Sequence, residues 1–375
     1  MPLNLRLKAS FLPLLVCLLL PTGSTWAQAP PETLAQTPAG EPYFYFGLGY
    51  GSEANFSPLT IVLNDAYDIL QLDGWDRRFE AHPYRSGWAA VRRSVANPFR
   101  TISRYGYGLF LRSELLPLST RGSGGGQWLP NYQLHLVGGG MLHAMTTEWY
   151  SAQGFRHPAA WAVGTAMVER ALNESVEHGG FEGYSGDIVA DIYLFDAGGI
   201  LLFSSERVRR FFSQKLNLRS WPLQPAIGLQ DGTLENAGSY FSIQWRVPGS
   251  RAWHVFYYFG MNTLVGATYR APGGLAVSLG AGAHAKKLVI RDESKHRNTV
   301  DLVGTAGLFV DRHGSLLASM VYSGLHDRRL SINVYPGILP GGSLSPGAWL
   351  QVDAEGALLG GVGLRWLPGI SGTMR

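Results

Sequence analysis

Alternating apolar and polar residues dominate the second half of the chain. In the stretch YFSIQWRV, Phe241, Ile243 and Trp245 alternate with polar residues, and similar runs follow, separated by turn sequences such as APGG, DRHG and PGGSLSPG. A period of two is typical of strands with one buried face. We predict about eight to ten antiparallel strands over residues 224–368, forming a barrel-like sheet or a soluble sandwich.

A helical period replaces the alternation between residues 130 and 203. Three helices are predicted, with the sequences NYQLHLVGGGMLHAMTTEWYSAQG, HPAAWAVGTAMVERALNESVEHGG and YSGDIVADIYLFDAGGILLF. Pro158 lies near the start of the second helix and Gly179 follows its end. Ser185 is the predicted N-cap of the third helix, with Asp187 favoured in its first turn. The predicted fold class is therefore α+β, with an inserted module of three or more helices.

Three stretches precede this helical module. Residues 1–27 have the features of a signal peptide, because Arg6 and Lys8 precede the apolar run FLPLLVCLLLP and the small residues of STWAQA follow it. The alternative, an uncleaved anchor, needs ~20 apolar residues. Residues 28–42 are predicted to be a disordered tether. Residues 43–129 are predicted to contain the first strands, in YFYFGLGYG and YGYGLFLRSELLPL, and short helices in SPLTIVLND and SGWAAVRRSVANP.

The amino-acid composition excludes several classes of function. Charged residues make up only 15% of the chain and aromatic residues 12%, with 48 glycines, which suits a β-rich protein in contact with lipid. Cys17 is the only cysteine and lies in the predicted signal peptide, so disulfide scaffolds, thiol catalysis and cysteine-bound metals are excluded. The net charge of +4 is too small to indicate nucleic acid binding. We predict a cell-envelope location, first the outer membrane and second the periplasm.

Each predicted helix of the module carries a polar stripe on an otherwise apolar body. Residues four apart share a helix face, and this spacing aligns Glu169, Asn173 and Glu177 on the second helix and Asp187 and Asp191 on the third. On the first helix the stripe is His135, Gly139 and His143.

An unpaired buried carboxylate costs several kcal/mol, so we expect the three stripes to face one another in a single inward cluster. The alternative is that the acids of ERALNESVEH form the solvated face of a surface helix; Glu174 and His178 are expected to point away from the cluster, as is Asp196. Nearby glycines would let the helices approach closely. The candidate catalytic residues are His135, His143, Glu169 and Asp187, and the candidate binding residues are Glu169, Asn173, Glu177, Ser185, Asp187, Asp191, Gly198 and Gly199.

This segment resembles VanZ-like proteins and a related family of predicted periplasmic lipoproteins of unknown function. The shared features are a histidine on a first helix, a glutamate late in a second, and a third helix of the form [S/G]-x-D-x-x-A-[N/D] followed by two glycines. Here they correspond to His135, then Glu169 with Asn173 and Glu174, then Ser185, Asp187, Asp191, Gly198 and Gly199. The aspartate–lysine pair that often precedes the family histidine is replaced by NYQLH. The resemblance covers residues 130–203 and implies a membrane-associated or periplasmic helical module.

Two functions from different classes follow. The first is a structural or binding role in the envelope, with a membrane lipid, an envelope glycan or an envelope protein as the partner of the polar cluster. The second is a hydrolase or transferase in which His135 or His143 is the general base and Glu169 or Glu177 is a general acid or ligand of zinc, iron or manganese. Neither G-x-S-x-G nor H-E-x-x-H occurs. An open pore is disfavoured because side chains fill a barrel of so few strands.

Overall fold

The architecture is known from a computed structural model, in which helices occupy the first half of the described chain and a large β-sheet the second half. The predicted signal peptide, residues 1–27, and the predicted tether up to residue 41 lie outside the described residues. The structure describes residues 42–116, 128–293, 297–339, 345–365 and 367–374.

The helical half contains α-helices and several segments of wider π-helical turns. The α-helices are α1 (Pro58–Asp65), α2 (Tyr84–Ala96), α3 (Pro98–Tyr105), α4 (Tyr107–Phe110), α5 (Gly140–Ala152), α6 (Pro158–Glu177), α7 (Gly186–Ala190), α8 (Ala197–Ser204) and α9 (Glu206–Arg210). The π-helical segments are Leu111–Leu115, Trp128–Gly139, Asp191–Asp196 and Phe211–Lys215, and short 3₁₀ turns cover Ser52–Asn55, Asp68–Gln71 and Phe79–Ala81.

Local sequence explains where these helices begin. Ser57 caps α1 as its position before Pro58 predicts: its hydroxyl accepts from the Thr60 amide at 3.2 Å, and the Thr60 hydroxyl accepts from the Ser57 amide at 3.0 Å. The third predicted helix begins at Gly186, directly after Ser185, as expected. The Ser185 hydroxyl, however, does not cap α7; it lies 2.9 Å from Nε2 of His178.

The strands predicted before the helical module are wrong. Residues 43–45 belong to no strand, because their three backbone amides donate to the carboxylate of Glu148 at 2.8–2.9 Å. A carboxylate thus takes the place of a neighbouring strand as hydrogen-bond acceptor. The stretch YGYGLFLRSEL is helical in Tyr107–Phe110 and Leu111–Leu115, where Phe110 packs with Tyr105 in a helical core.

The β half is one mostly antiparallel sheet, in agreement with the predicted α+β class. Among the described residues it has thirteen strands in the order β1-β4-β5-β6-β7-β8-β9-β10-β11-β12-β13-β2-β3, and only the β13–β2 pair is parallel. The strands are β1 (Arg219–Ser220), β2 (Ala226–Gly228), β3 (Leu234–Glu235), β4 (Phe241–Arg246), β5 (Trp253–Phe259), β6 (Asn262–Arg270), β7 (Leu275–Asp292), β8 (Arg297–Arg312), β9 (Ser315–Ser323), β10 (Leu330–Val334), β11 (Gly347–Val352), β12 (Leu358–Gly363) and β13 (Gly369–Met374).

Two features of the sheet differ from the prediction. The number of strands exceeds eight to ten, because β1–β3 have only two or three residues each and produce no alternating pattern. The sheet is also not closed into a barrel. β1 and β2 lie on one stretch of chain, but Pro222 and Pro225 separate them, and proline has no amide hydrogen with which to continue a ladder.

The two faces of the sheet differ in exposure to solvent. Ser278 of β7 and Phe256 of β5 are buried on the inner face, whereas their neighbours Leu279 and Val255 are 63% and 43% exposed on the outer face. Buried polar residues of the inner face bond to one another, as Thr268 and Ser278 do at 2.7 Å. Large apolar side chains therefore line the outside of this sheet.

The helical module packs against the sheet through apolar cores, of which one joins α5 and α8 to β4 and β5. Met141 and Met145 of α5 and Phe203 of α8 share a cluster with Phe241 of β4 and Phe259 of β5. This contact holds the polar stripes of the helices over the inner side of the sheet.

Close helix packing depends on two facing glycines. A Cβ atom on Gly199 would lie 2.7 Å from the Leu136 carbonyl oxygen, and one on Gly140 would lie 2.7 Å from the Gly199 carbonyl oxygen. The glycines thus bring α5 and α8 together, as their small size predicts.

Within the described ranges, no single helix has the length and hydropathy of a membrane span. The bent pair Gly186–Ser204 and Glu206–Lys215, which meet at 87°, passes that test only when the two are taken together.

Candidate binding cavity

A cavity of about 770 Å³ lies between the helical module and the sheet. Its walls come from α1, the π-helical segment Trp128–Gly139, α5 and α6, the continuous helix Gly186–Ser204, and strands β6–β8. This volume is in the range of cavities that hold drug-sized or lipid-like molecules.

One wall of the cavity is acidic. Seven carboxyl groups line it, together with two histidines and, among the described lining residues, a single arginine. These residues are Asp65, Asp68, Glu169, Glu177, Asp187, Asp191, Asp196, His135, His143 and Arg170.

Arg170 is the centre of the charged network. Its Nε lies 2.7 Å from Oδ2 of Asp196, as a close ion pair without the alignment of a hydrogen bond. One terminal nitrogen lies 3.6 Å from Glu169, and the other donates to the Asn173 side-chain oxygen at 3.2 Å. Burial opposes the charge of Arg170, but Asp196 and Glu169 outweigh it and raise the pKa of the guanidinium. Arg170 is therefore a permanent cation inside the acidic wall.

His135 lies between two carboxyl groups. Its Nδ1 is 3.3 Å from Oδ1 of Asp196 and its Nε2 is 3.6 Å from Oδ2 of Asp191. Burial, followed by the nearby charge of Arg170, lowers the pKa of His135. A neutral imidazole with a carboxyl group at each nitrogen can accept a proton on one side and donate one on the other.

The carboxyl groups of the wall differ in protonation. Burial raises the pKa values of Glu169, Asp187 and Asp191 well above their usual range, and neighbouring carboxyls raise the latter two further. Burial would also raise the pKa of Asp196, but Arg170 and His135 hold it below its usual value. Asp196 is thus an ionised hydrogen-bond acceptor, whereas Glu169, Asp187 and Asp191 are protonated and can donate hydrogen bonds.

Several buried polar atoms of this wall have no hydrogen-bond partner within the described part of the chain. They are Oε1 of Glu169, Oδ1 of Asp191, Oδ2 of Asp65 and Nε2 of His143. Buried polar atoms in native proteins are almost always satisfied by protein, water or a ligand. These four atoms, on four different elements, are available to a bound molecule.

The remaining lining is apolar and reaches the protein surface. Leu142 and Phe241 are buried in the cavity, while Met167 and Leu302 are 40% and 63% exposed at its rim. A molecule bound here would therefore meet both carboxyl groups and hydrocarbon.

The structure brings most of the predicted site residues together. His135, His143, Glu169, Asn173, Glu177, Asp187 and Asp191 all line the cavity. Ser185, Gly198 and Gly199 are not among its lining residues: Ser185 contacts His178, and the glycines contact the segment around Leu136.

Four charged lining residues are not predicted from the sequence, and two other residues are buried where the sequence predicts exposure. Asp65 and Asp68 lie at the end of α1 and just after it, and Arg170 lies beside Glu169 on α6; Asp196 is predicted to point away from the cluster but contacts His135. Glu174 and His178 are predicted at a solvated or interfacial position but are buried, with Nδ1 of His178 3.3 Å from Glu174. A helical wheel of α6 places Arg170 next to the stripe of Glu169, Asn173 and Glu177, which is the sequence signal for its position.

The predicted metal ligands do not form a metal site in the described residues, where no three histidine or acidic side chains are placed so that they could hold one ion.

Comparison with known proteins adds no identity: no family model, no curated protein and no solved structure matches the chain significantly. The VanZ-like resemblance thus stays a prediction.

Proposed function

We propose that this protein is an exported envelope protein that binds an amphiphilic molecule of the membrane in its cavity. The observation that carries the proposal is the lining of a 770 Å³ cavity, which combines seven carboxyl groups with many apolar side chains. Such a lining fits a ligand with a polar head and a hydrocarbon body better than a small polar metabolite.

The charges of the wall favour a particular head group. A phosphate would face seven carboxyl groups, and the arginine beside them is already paired with Asp196. Protonated Glu169 and Asp191 can donate to hydroxyl oxygens, and their unpartnered oxygens can accept from hydroxyl or ammonium groups. The proposed ligand is therefore a lipid with a glycosyl or amine head group.

The outer face of the sheet supports a membrane location. Val265 and Leu279 are 60% and 63% exposed, and large apolar side chains on the outer face of a sheet favour contact with lipid. Trp245, Trp253 and Tyr269 are also exposed on this half of the chain, as expected for aromatic residues at a membrane interface.

A binding experiment tests the ligand. Purified full-length protein is titrated with a monoglucosyl diacylglycerol and, separately, with phosphatidylglycerol of the same acyl chains. We expect the glycolipid to bind at least about tenfold more tightly, and the Asp191→Asn and Glu169→Gln variants to lose about tenfold in affinity, since each changes one or two hydrogen bonds to the head. The exposed control Asp76→Asn should bind like the wild type. Equal binding of the two lipids, or unchanged binding by both cavity variants, would contradict the proposal.

The location is tested separately. Co-fractionation with the outer membrane is expected if the exposed apolar face of the sheet contacts lipid. A product that is freely released with the periplasmic fraction would contradict the location without affecting the ligand.

One observation favours a second function, a hydrolase or transferase acting on the same lipid. His135 has a carboxyl group near each ring nitrogen, an arrangement suited to general acid–base catalysis. In that case the glycolipid would be cleaved, and His135→Gln would abolish turnover while leaving binding within about threefold. Mass spectrometry of the lipid after incubation separates binding from cleavage.

A further inference from the structure

A second feature of the helical half lies apart from the cavity: three arginines from two helices meet at one loop. The Nε of Arg93, on α2, donates to the Gly183 carbonyl oxygen at 3.0 Å. The guanidinium groups of Arg100 and Arg104, on α3, lie 5.7 and 5.6 Å from the ring centre of Tyr184. We call Arg93, Arg100 and Arg104 the arginine cluster.

Within the described residues no carboxylate forms an ion pair with a member of the arginine cluster. Between residues 84 and 116 the chain has six arginines and one acid, Glu114, and Glu114 is buried and accepts from Tyr105. Glu182 precedes Gly183 in the same loop, but it is exposed and pairs with none of the three arginines in the described contacts. Three converging cations against one exposed acid are a site for an anion, and guanidinium groups suit phosphate in particular.

Large apolar side chains border the arginine cluster. Phe99 is 79% exposed although it adjoins Arg100, Tyr107 follows α3 and is 62% exposed, and Trp88 of α2 is also exposed. The opposite sides of the same helices are packed in the core, through Val91 and Tyr105. Exposed aromatic residues next to arginines are typical of helices that lie in the head-group region of a membrane.

We infer that the arginine cluster and its aromatic neighbours form a second membrane contact, which binds anionic phospholipid head groups at a bilayer surface. Arg93, Arg100 and Arg104 contact the lipid phosphates, while Phe99, Tyr107 and Trp88 insert between the head groups. The cation–π contacts with Tyr184 hold two of the guanidinium groups in place before the lipid binds. This site selects negative charge, in contrast to the acidic cavity, and it does not depend on what the cavity binds.

The inference is tested by partitioning of the full-length protein into vesicles of phosphatidylcholine with and without phosphatidylglycerol. The quantity of interest is the ratio of the two partition coefficients, because insertion of the sheet contributes to both. The test variant is Arg93→Gln/Arg100→Gln/Arg104→Gln. Each arginine near an anionic surface strengthens binding about fivefold, so the triple variant should lower the ratio on the order of 100-fold.

A matched control removes the same charge elsewhere. Arg156, Arg207 and Arg329 are exposed and lie outside α2 and α3, and their triple glutamine variant should change the ratio by less than about fivefold, the effect of a single arginine. Equal losses in the two triple variants would overturn the inference, since only net charge would then matter, and so would an unchanged ratio in the test variant.

The aromatic residues distinguish a membrane from another polyanion. Phe99→Ser/Tyr107→Ser should reduce partitioning into the phosphatidylglycerol vesicles about tenfold or more, because two inserted side chains are lost. If this variant partitions like the wild type while high salt abolishes binding, the site recognises a soluble anionic polymer and the lipid inference is wrong. Circular dichroism of each variant confirms that it is folded.

Discussion

Replacing Arg170 by methionine removes the cation from the acidic wall while keeping a side chain of similar length. Arg170 is buried, with a side chain only 11% exposed, and its 2.7 Å ion pair with Asp196 has little contact with water. In the variant, Asp196 keeps a hydrogen-bonding contact with His135 at 3.3 Å but loses its counter-charge.

The expected cost of this change is large. Breaking a buried pair by removing one partner typically destabilises a protein by about 3–5 kcal/mol, because the remaining charge is left in a poorly solvated site. Protonation of Asp196 relieves that cost, because burial then raises its pKa without Arg170 to oppose the effect. A carboxyl with a raised folded-state pKa contributes stability at low pH that is lost as pH rises. The Arg170→Met defect should therefore be larger at about pH 8 than at about pH 5.

The assay is equilibrium unfolding in denaturant at both pH values, for the wild type, Arg170→Met, Asp196→Asn and the double variant. We expect the double variant to be more stable than Arg170→Met at the higher pH by about 1–3 kcal/mol, the usual coupling of contacting residues. Arg78→Met, which disrupts an exposed pair with Asp76, is the control and should change little. A loss in Arg170→Met below about 1 kcal/mol, the same at both pH values, would refute the buried network.

Three further predictions concern the same half of the protein. Gly199→Ala should destabilise it by about 1–3 kcal/mol through a steric clash with the Leu136 carbonyl, whereas Gly164→Ala, at an exposed position of α6 with open space around it, should stabilise it by up to about 1 kcal/mol in the same unfolding assay. Glu148→Gln should speed proteolysis near residue 43, because the three amides lose their carboxylate acceptor; cleavage as slow as in the exposed control Glu80→Gln would be inconsistent with this. Because burial raises the pKa of Asp191, stability should fall from about pH 5 to about pH 8, and Asp191→Asn should flatten that slope.

The polar stripes could be predicted because the i, i+4 spacing of Glu169 and Asn173 is preserved in α6, a regular α-helix. Asp196 could not be placed in the same way. Residues Asp191–Asp196 form a π-helical turn, in which hydrogen bonds run from i to i+5. Asp191 and Asp196 therefore lie on one face of the helix, whereas in an ideal α-helix they would not. No residue pattern in the sequence predicts this π-helical turn.

Tertiary contacts account for the other errors. Glu174 and His178 look like solvated residues at the end of a helix, but α2 covers that side of α6 so closely that a Cβ on Gly87 would lie 1.8 Å from the Ser175 carbonyl oxygen. The aromatic residues of segment 43–51 predict a strand. Instead, the carboxylate of Glu148, about a hundred residues later, accepts hydrogen bonds from the backbone amides of residues 43–45. Alternation in the β half needed no such information, because each strand pairs with its neighbour in the chain from β4 to β13.

The rim of the cavity determines which part of an amphiphile would remain near the surface. Met167 and Leu302 are exposed at the rim, whereas Asp187 and Asp191 are buried together with the apolar Leu142 and Phe241, so we expect the head of a lipid to reach the acids while part of its chain extends outward, toward the apolar face of the sheet. A water-soluble glycan would instead leave the apolar lining in contact with water, so burial of that apolar surface would add nothing to its binding free energy. Binding should therefore weaken as the acyl chains of the glycolipid probe are shortened, by up to about 0.8 kcal/mol per CH₂ group removed from the cavity. If the free sugar head bound as tightly as the lipid, the acidic wall alone would account for recognition, and the cavity would have no functional relation to the apolar face of the sheet.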